Sequence, residues 1–424
     1  MSNPFFPGKP VPPEHFVGRT SEINFAFDQI CNRSHFAIWG GPGMGKTSFL
    51  RKLASEQALR EHGIYPSQVV VVLLNCQSII PFTPAGFWQE ILNVLHDQLD
   101  NEPQLQAEIQ LLLEQKATSR ILRKALRKLG ESGKFLLLLV DDLDAAVVEN
   151  EQYTETEMET FLAECRSLAI HAEESEHLSM IVTSLQPLSE LTPRFNPNAS
   201  PWYNHYLFQS LKLFNTRELV QILDTVSPPT LRGEIIDITG GHPSLVQIGG
   251  FLIYGEMQKG QNANAESFAD GFERDTRHIF ETIWQRCNPT EQVLLMLIAL
   301  LDIDGQIKDT KYNLKGIGRV MTQHERLLEN LEDRGVITSS ITDSEKFYSF
   351  TSLLMKKWVT QEVLNTSEKF FNDNEFVFMN LISREQLKQV KEFITLLTNN
   401  ADKLIKVLDW IPRLLPFFYQ KILT

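Results

Sequence analysis

The sequence predicts an α/β fold with a parallel β-sheet in the first half of the chain and helices in the second half. Three observations support this fold. Apolar runs recur between stretches of helical periodicity, and from Thr216 onward the helical pattern dominates. The runs are continuous rather than alternating, as in parallel strands that are buried on both faces. They lie at Phe36–Trp39, Val69–Leu74, Lys134–Asp144 and Leu178–Thr183, and Tyr206–Phe208 is the expected last strand.

Size and composition limit the function. A chain of 424 residues is long for one hydrophobic core, so about two to four domains are expected. The formal net charge of −13 argues against strong non-specific DNA binding, which needs a surplus of Lys and Arg. Four scattered cysteines disfavour a zinc site or a disulfide framework and favour a reducing, cytoplasmic location. No apolar run approaches the ~18 residues of a membrane span, and no signal-peptide layout is present.

A glycine-rich turn follows the first apolar run and opens a helix. Gly40, Gly45, Lys46 and Thr47 fit the pattern G-x-x-x-x-G-K-[ST] of a phosphate-binding loop. Glycines let successive backbone N–H groups curl around an anion, and the helix directs its positive end to the same anion. Lys46 adds a charge at the outer phosphates, and the Thr47 hydroxyl is placed to ligate Mg²⁺. The pattern predicts nucleotide binding.

The residues before this loop predict an adenine contact. Residues 1–15 are rich in proline and are expected to form an extended arm. A helix is expected at Glu22–Cys31, with Thr20 or Ser21 as its cap. Between them, the Gly18 backbone would lie near the base and Arg19 near the ribose, although Gly18-Arg19 alone would be an ordinary turn.

Carboxylates lie at the C-terminal end of the stretch Lys134–Asp144, after its apolar residues. In a doubly wound sheet, the carboxyl ends of the strands face the ligand crevice. Asp141 is therefore placed to hold Mg²⁺ opposite Thr47, and Asp142 to orient or activate the attacking water. A solvated acidic turn is the alternative. Because Asp is one methylene shorter than Glu, slow hydrolysis is expected.

Two more candidates belong to the strand at Leu178–Thr183. Ser184, which follows Thr183, would lie between the phosphate and carboxylate elements and could sense a γ-phosphate; equally, the strand could simply meet its loop there. Arg194 could reach the nucleotide of an adjacent subunit as an arginine finger, or it could be a surface residue. Around these strands the sequence predicts a solvated loop at Glu149–Glu159 and a helix at Phe161–Ile170.

The second half of the chain predicts a helical lid. Helices are expected at Glu218–Asp224, Leu231–Ile238 and Ser244–Met257. Pro243 suits the first turn of the last of these helices. A lid of this kind would cap a nucleotide, with Pro243 or His242 at the base or ribose. An ordinary His-Pro turn is the alternative.

A winged-helix pattern follows the lid. Asn288-Pro289-Thr290-Glu291 is a capped helix start, and two more helices are expected near Gly316–Met321 and at Gln323–Arg334. A hairpin is expected at Val336–Ile341 and Lys346–Phe350. Gln323–Arg334 would be the DNA-reading helix of such a domain, but its acidic residues outnumber its arginines. Protein packing is therefore favoured over DNA binding.

The last stretch, residues 366–424, is expected to be helical. Leu381–Leu397 carries an apolar stripe, and Ala401–Thr424 is apolar and aromatic. Ala401–Thr424 would either pack on the body of the protein or act as an effector tail that inserts into a membrane surface or docks on a partner.

The chain carries a series of motifs in the order FVGR, GGPGMGKT, LLLLVDD, MIVTS and TGGHP, followed by the winged-helix pattern. This order resembles the STAND class of P-loop ATPases, which is similar to the AAA+ and archaeal ATPase groups. The resemblance covers about residues 14–365. The domains expected are an arm at 1–15, a P-loop NTPase domain at 16–210, a lid at 211–285, a winged helix at 286–365 and a tail at 366–424. Mg²⁺ is implied at Thr47 and Asp141. ATP contacts are implied at Val17, Gly18, Arg19, Gly40, Gly41, Pro42, Gly43, Met44, Gly45, Lys46, Thr47, Ser48 and Pro243. The chain departs from the class in having no arginine near Ser184 and no repeat-rich sensor after residue 365.

The resemblance implies a molecular switch. In the STAND class, ADP holds a closed monomer, and exchange for ATP opens the chain and lets it oligomerise; prokaryotic members are associated with antiphage defence. A slow ATPase with ATP or ADP and Mg²⁺ as cofactors is thus expected, as a homo-oligomer in its ATP-bound state, with a protein trigger or effector. One rival is a DNA-associated AAA+ ATPase of the origin-recognition or transposition-regulator type, which would need a basic surface. Another is a scaffold with a vestigial nucleotide site.

Overall fold

The computed structural model describes residues 3–191, 200–224, 229–260, 264–302, 323–342 and 345–362, together with positions 321, 377, 381, 388 and 390. The chain divides into two units. Pro10–Gly40 and Gly45–Leu211 form one, which we call the sheet unit. Met1–Lys9, Gly41–Met44 and Lys212–Thr424 form the other, which we call the C-terminal unit. Each unit has its own hydrophobic core.

The sheet unit is built on five parallel strands in the order β2-β3-β4-β1-β5. This confirms the predicted parallel α/β fold. Strands β1, β3 and β4 are buried at every position, which explains why their sequences are continuous apolar runs. The strands are β1 (His35–Trp39), β2 (Val69–Asn75), β3 (Phe135–Asp141), β4 (Leu178–Ser184) and β5 (Tyr206–Ser210).

Seven α-helices lie among the described residues of the sheet unit. They are α1 (Thr20–Cys31), α2 (Lys46–Ala54), α3 (Glu56–Glu61), α4 (Pro84–Asp97), α5 (Pro103–Leu113), α6 (Ser119–Glu131) and α7 (Glu155–Ile170).

Two predictions about helix starts are wrong. Helix α1 begins at Thr20 itself, and the residue before it, Arg19, occupies the capping position with no side-chain cap bond. Helix α7 begins six residues before Phe161, inside the stretch that was expected to be a loop. There the Thr154 hydroxyl and the Glu157 carboxylate form a capping box, which stabilises the helix start despite the surrounding acidic residues.

Within the described ranges, the C-terminal unit consists of helices and one hairpin. The predicted cap at Asn288 is confirmed, because Asn288 and Glu291 exchange backbone-to-side-chain hydrogen bonds of 2.9 Å. The elements are α8 (Thr216–Leu223), α9 (Pro229–Thr239), α10 (Pro243–Gln258), α11 (Ala265–Gln285), α12 (Pro289–Asp302), α13 (Glu325–Asp333), β6 (Ile337–Thr342), β7 (Glu345–Phe350) and α14 (353–362). Strands β6 and β7 pair antiparallel, which confirms the predicted hairpin.

Several predicted elements fall outside the described residues. These include the helix near Gly316–Met321, except for Met321, and nearly all of the tail at 366–424. The winged-helix domain therefore stays a prediction. None of the helices in the described ranges combines the length and the apolar character that crossing a membrane would require.

The start of the chain packs on helix α10. Phe5 is buried, the Asn3 side-chain amide donates to Phe251 O at 3.0 Å, and the Phe6 N–H donates to the Gln247 side chain at 2.8 Å. These contacts lie within the C-terminal unit. Asn3, Phe5 and Phe6 of the predicted arm are therefore held by specific contacts.

Two neighbouring histidines, one buried and one half-buried, lie in the sheet unit. His35 is held as a neutral tautomer, because its Nδ1 accepts from the Met180 N–H and its Nε2 donates to Ala169 O, both at 3.1 Å. The His205 ring lies 5.5 Å from the His35 ring. Burial lowers the pKa of His35. Burial, together with the charge of Arg166, lowers the pKa of His205 to about 3.

Acid should therefore destabilise the sheet unit through these histidines. An unfolded histidine has a pKa of about 6.5, so unfolding takes up protons below that pH, and stability is lost as the pH falls from 6.5 towards 3. At about pH 5 His205 alone should contribute a loss of about 2 kcal/mol. We expect the thermal unfolding midpoint to fall less between about pH 7.5 and pH 5 in His205→Phe than in the wild type. Equal falls in the two proteins would contradict this.

Candidate functional site

The glycine-rich turn has the predicted strand–turn–helix context. At its start, the Gly40 N–H donates to Ser184 O at 3.2 Å, so the ladder between β1 and β4 continues into the turn. At its end, Gly45 adopts a φ of 91° and helix α2 begins at Lys46. The Lys46 side chain is buried, and its Nζ donates to Gly40 O at 2.7 Å. The turn and its lysine therefore have the local structure of a phosphate-binding loop.

The carboxylate of Asp141 ties three elements of the sheet unit together. It accepts a hydrogen bond of 2.7 Å from the Thr47 hydroxyl on α2 and one of 2.6 Å from the Thr183 hydroxyl on β4. Asp141 itself ends β3 and is 2% exposed. The sequence pattern predicted the approach of Thr47 and Asp141, and the structure brings them together. The contact with Thr183 was not predicted.

The oxygens of Thr47 and Asp141 fit a magnesium ion. Mg²⁺ takes hard oxygen ligands at 2.0–2.1 Å in an octahedron, so neighbouring ligand oxygens lie about 2.9 Å apart. The Thr47 Oγ1 and Asp141 Oδ2 atoms are 2.7 Å apart. Both are oxygen ligands on rigid elements, one hydroxyl and one carboxylate. These two residues would hold the ion.

Asp142 is held in a different way. Its backbone has a φ of 51°, in the left-handed region that aspartate tolerates better than most residues. Its Oδ2 accepts a 2.9 Å hydrogen bond from the Asn75 amide at the end of β2, and its N–H donates to Thr183 Oγ1 at 3.1 Å. The candidate general base is thus fixed by polar groups from both neighbouring strands. Asn75 is a site residue that the sequence did not reveal.

A third carboxylate completes the acidic end of β3. Asp144 accepts from the Leu185 N–H at 3.1 and 2.9 Å, which joins the turn after β3 to the end of β4. Burial raises the pKa of Asp144, while the Leu185 hydrogen bond and the charge of Lys46 act in the opposite direction. Asp144 therefore helps to fix the strand ends around the lysine.

The segment before α1 lies against α2. The Val11 N–H donates to the Ser48 hydroxyl at 2.9 Å, and the rings of Phe16 and Phe49 lie 6.5 Å apart, edge to face. Gly18 and Arg19 follow with φ values of 77° and 59°. Arg19 is 4% exposed and its Nη1 lies 3.5 Å from a Glu22 carboxylate oxygen. The FVGR segment is therefore held close to the first turn after the phosphate-binding loop, as its predicted adenine contact requires.

The tip of the loop makes its contacts in the C-terminal unit. His242 Nε2 donates to Pro42 O at 3.1 Å, and the Ser244 hydroxyl and N–H donate to Gly43 O at 3.0 and 3.2 Å. Pro243 is the first residue of α10. His242, which the sequence singled out, thus contacts the loop tip, as does Ser244, which it did not. The predicted contact of Pro243 with a nucleotide stays a prediction.

Two further predicted site residues stay untested. The Ser184 hydroxyl donates to Gln186 O at 2.7 Å, within its own turn, whereas its neighbour Thr183 contacts Asp141 and Asp142. Ser184 as a phosphate sensor stays a prediction. Arg194 lies outside the described residues, so its role as an arginine finger also stays a prediction.

Helix α13, the candidate DNA-reading helix, has acidic side chains that contact other residues of the C-terminal unit. Lys346 lies 3.1 Å from Glu325, and Ser339 donates to Glu332 from both its N–H and its hydroxyl. Lys212 lies 3.7 Å from Asp333. Three acidic side chains of α13, those of Glu325, Glu332 and Asp333, therefore pair with neighbouring protein groups.

Comparisons with known proteins agree with this geometry. Residues 15–181 match the family model described as AAA ATPase domain. No match was found among curated proteins. The structure of the Walker-type ATPase of Pyrococcus abyssi is similar, with a TM-score of 0.53 and 16% identity over 82% of this chain and 97% of that one. The ORC2 protein of Aeropyrum pernix, in ADPNP–ADP complexes, gives a TM-score of 0.45 and 16% identity over 85% of this chain and 96% of that one.

The parallel sheet and its loop define the P-loop NTPase fold. The stretch that carries the loop and the carboxylates, residues 15–181, is the part of the chain that matches the AAA ATPase domain model. Such a domain implies a nucleotide ligand.

The contrast between Thr183 and Ser184 gives a test of the site. Thr183→Val keeps the shape of the side chain but leaves an Asp141 oxygen and the Asp142 N–H without the hydroxyl. We expect ATP turnover to fall about 10- to 100-fold, with ATP affinity changed little, because the lost bonds involve the carboxylate end of β3. Steady-state turnover and equilibrium ATP binding measure the two effects.

The matched control is Ser184→Ala, one residue along the same strand. Since the Ser184 hydroxyl bonds only within its own turn among the contacts described, turnover should stay near the wild-type value. If Ser184→Ala were the variant that lost activity, Ser184 rather than Thr183 would be the functional residue.

Proposed function

We propose that this chain is an ATP-dependent molecular switch that binds ATP with Mg²⁺ and hydrolyses it slowly. The observation that carries the proposal is the meeting of Thr47, Asp141 and Thr183 behind a phosphate-binding loop. Lys46 and the loop amides would bind the phosphates. Thr47 and Asp141 would hold Mg²⁺, which supplies charge neutralisation at the phosphates when bound. Val17, Gly18, Arg19 and Pro243 would contact the adenosine.

Hydrolysis would depend on Asp142. A carboxylate at this position can orient water and accept its proton. Two features favour a low rate: the side chain is short, and Asn75 holds its Oδ2 at 2.9 Å. That hydrogen bond stabilises one position of the carboxylate, so any movement towards a water must compete with it.

The switch role rests on the STAND-like order of motifs and on the contacts of the loop tip with His242 and Ser244. A ligand shifts a conformational equilibrium only by its difference in affinity for the two states. Turning a ratio of 1:99 into 99:1 takes about 5.5 kcal/mol. Contacts of one additional phosphate with Lys46, with Mg²⁺ and with Arg194 of an adjacent subunit are of that order. The ATP-bound state would then be a homo-oligomer that acts in signalling or defence.

DNA binding is the weaker candidate. It would need a basic surface on α13, where the carboxylates of Glu325, Glu332 and Asp333 instead pair within the protein. The tail at Ala401–Thr424, which could dock on a membrane surface or a protein effector, lies outside the described residues.

Lys46→Ala tests nucleotide binding directly. Removing the buried ammonium takes away the charge that would face the outer phosphates, so we expect binding of ADP and ATP to be lost, as measured by isothermal titration calorimetry. Lys52→Ala is the matched control, because Lys52 lies on the same helix with its Nζ 3.4 Å from Pro13 O. Normal nucleotide binding by Lys46→Ala would refute the proposed site.

Asp142→Asn and Asp142→Ala test hydrolysis and assembly together. Without the carboxylate we expect turnover to fall about 100-fold or more, while ATP binding remains. The ATP-bound assembly should then persist, whereas the wild-type assembly should decay as ATP is consumed. Mass photometry with ADP, ATP and a slowly hydrolysed analogue, with and without liposomes, measures the assembly and any membrane contact.

Normal hydrolysis by both Asp142 variants would show that another group activates the water. A wild-type protein whose mass stays the same with every nucleotide would rule out the switch while leaving the ATPase assignment intact.

A further inference from the structure

Two peptide carbonyls at the tip of the loop are bound by the lid. His242 Nε2 donates to Pro42 O, and Ser244 donates to Gly43 O twice, from its hydroxyl and from its N–H. Because a carbonyl oxygen only accepts, His242 must carry its proton on Nε2. All these residues belong to the C-terminal unit. The contacts are made to the backbone of consecutive loop residues.

We propose that His242 and Ser244 are positioning residues that set the peptide planes of the phosphate-binding loop, and so tune the affinity of the protein for phosphates. The inference rests on the proposed nucleotide-binding function. It assigns a role to the lid that does not require the lid to touch the nucleotide.

The geometry of the peptide bond carries the argument. A trans peptide is planar, and its C=O and N–H point in opposite directions. Holding Pro42 O and Gly43 O towards the lid therefore turns the N–H groups of Gly43 and Met44 to the other side of the loop. The Met44 N–H makes a long hydrogen bond of 3.4 Å to Gly41 O, which an anion could replace. A phosphate loop binds its ligand through such N–H groups.

Helix α10 gains from the same contact. Its start has no side-chain cap, and Pro243 at its first position has no N–H. Ser244 is therefore the first residue of the helix with an N–H to satisfy, and Gly43 O satisfies it at 3.2 Å. The loop thus caps the lid helix while the lid orients the loop.

Glycine is needed in the loop for this approach. The phosphate-loop pattern requires Gly40 and Gly45 but leaves Gly43 unspecified. A Cβ on Gly43 would lie 2.6 Å from Ser244 Oγ and 2.9 Å from His242 Cε1, and its φ of +77° is unfavourable for other residues. A second unspecified glycine, Gly41, approaches a backbone group, since a Cβ there would lie 2.5 Å from Arg334 O. At both positions the close approach of neighbouring protein atoms already requires the absence of a side chain, in addition to any requirement set by an anion.

The test compares ligands with different numbers of phosphates. The double variant His242→Phe/Ser244→Ala removes both side-chain donors. We expect its dissociation constants for ADP and ATP to rise about 10-fold, while that for adenosine, measured by competition with a fluorescent ADP analogue, changes less than about 2-fold. His242→Gln, which keeps an N–H donor, should stay within about 3-fold of the wild type for every ligand. Thermal unfolding checks that each variant is folded.

If the double variant does not fold, Ser244→Ala alone serves, because its hydroxyl bond is exposed. Wild-type protein that binds no adenine nucleotide would refute the proposed function itself. Wild-type binding with unchanged ADP and ATP affinity in the variant would overturn only this inference. An equal loss of adenosine and ATP affinity would also overturn it, because the residues would then act on the base or on the fold.

Discussion

The carboxylate of Asp141 is the constraint on which the site depends. It is buried to 2% exposure, and a buried charge is costly unless hydrogen bonds compensate it. Thr47 and Thr183 provide that compensation at 2.7 and 2.6 Å. Since the two threonines lie on α2 and β4, satisfying one carboxylate fixes the start of a helix against the ends of two strands. The same oxygens that stabilise the fold are those that a metal would use.

Asp142 shows how adjacent carboxylates can be given different roles. The chain turns into the left-handed region at Asp142, so its side chain leaves the strand direction that Asp141 follows. Asp142 then meets a neutral amide, Asn75, rather than a hydroxyl on the phosphate side. This separation favours one residue for holding an ion and the other for catalysis.

The sequence predicted features that residue type alone determines. A buried parallel strand requires a continuous apolar run, and a phosphate loop requires Gly40, Gly45 and Lys46, so both could be recognised without neighbours. The sequence could not show whether Thr183 or Ser184 contacts Asp141. Consecutive strand residues face opposite sides, and only the register between β3 and β4 decides which of the two lies beside Asp141. The pairing of Val140 with Val182 brings the following residues, Asp141 and Thr183, side by side. Register also brings Asn75 to the site. Asn75 pairs with Asp141 in the ladder between β2 and β3, and this places its amide within reach of the next residue, Asp142.

The contacts of the loop tip give a physical basis for reciprocal effects. The peptide planes after Pro42 and Gly43 present carbonyls to His242 and Ser244 and N–H groups to the opposite side. An anion that orders those N–H groups also orders the carbonyls. By linkage, binding of the anion strengthens the hydrogen bonds from His242 and Ser244 by the same factor by which those bonds strengthen anion binding. Gly41–Met44 are covalently continuous with Gly40 and Gly45, so under the proposed function a change at the phosphates would reach His242 and Ser244 through four residues of backbone. In such a switch, the loop that would bind the phosphates is also the segment that His242 and Ser244 contact. No chain of intervening side chains is then needed to connect the nucleotide with the lid.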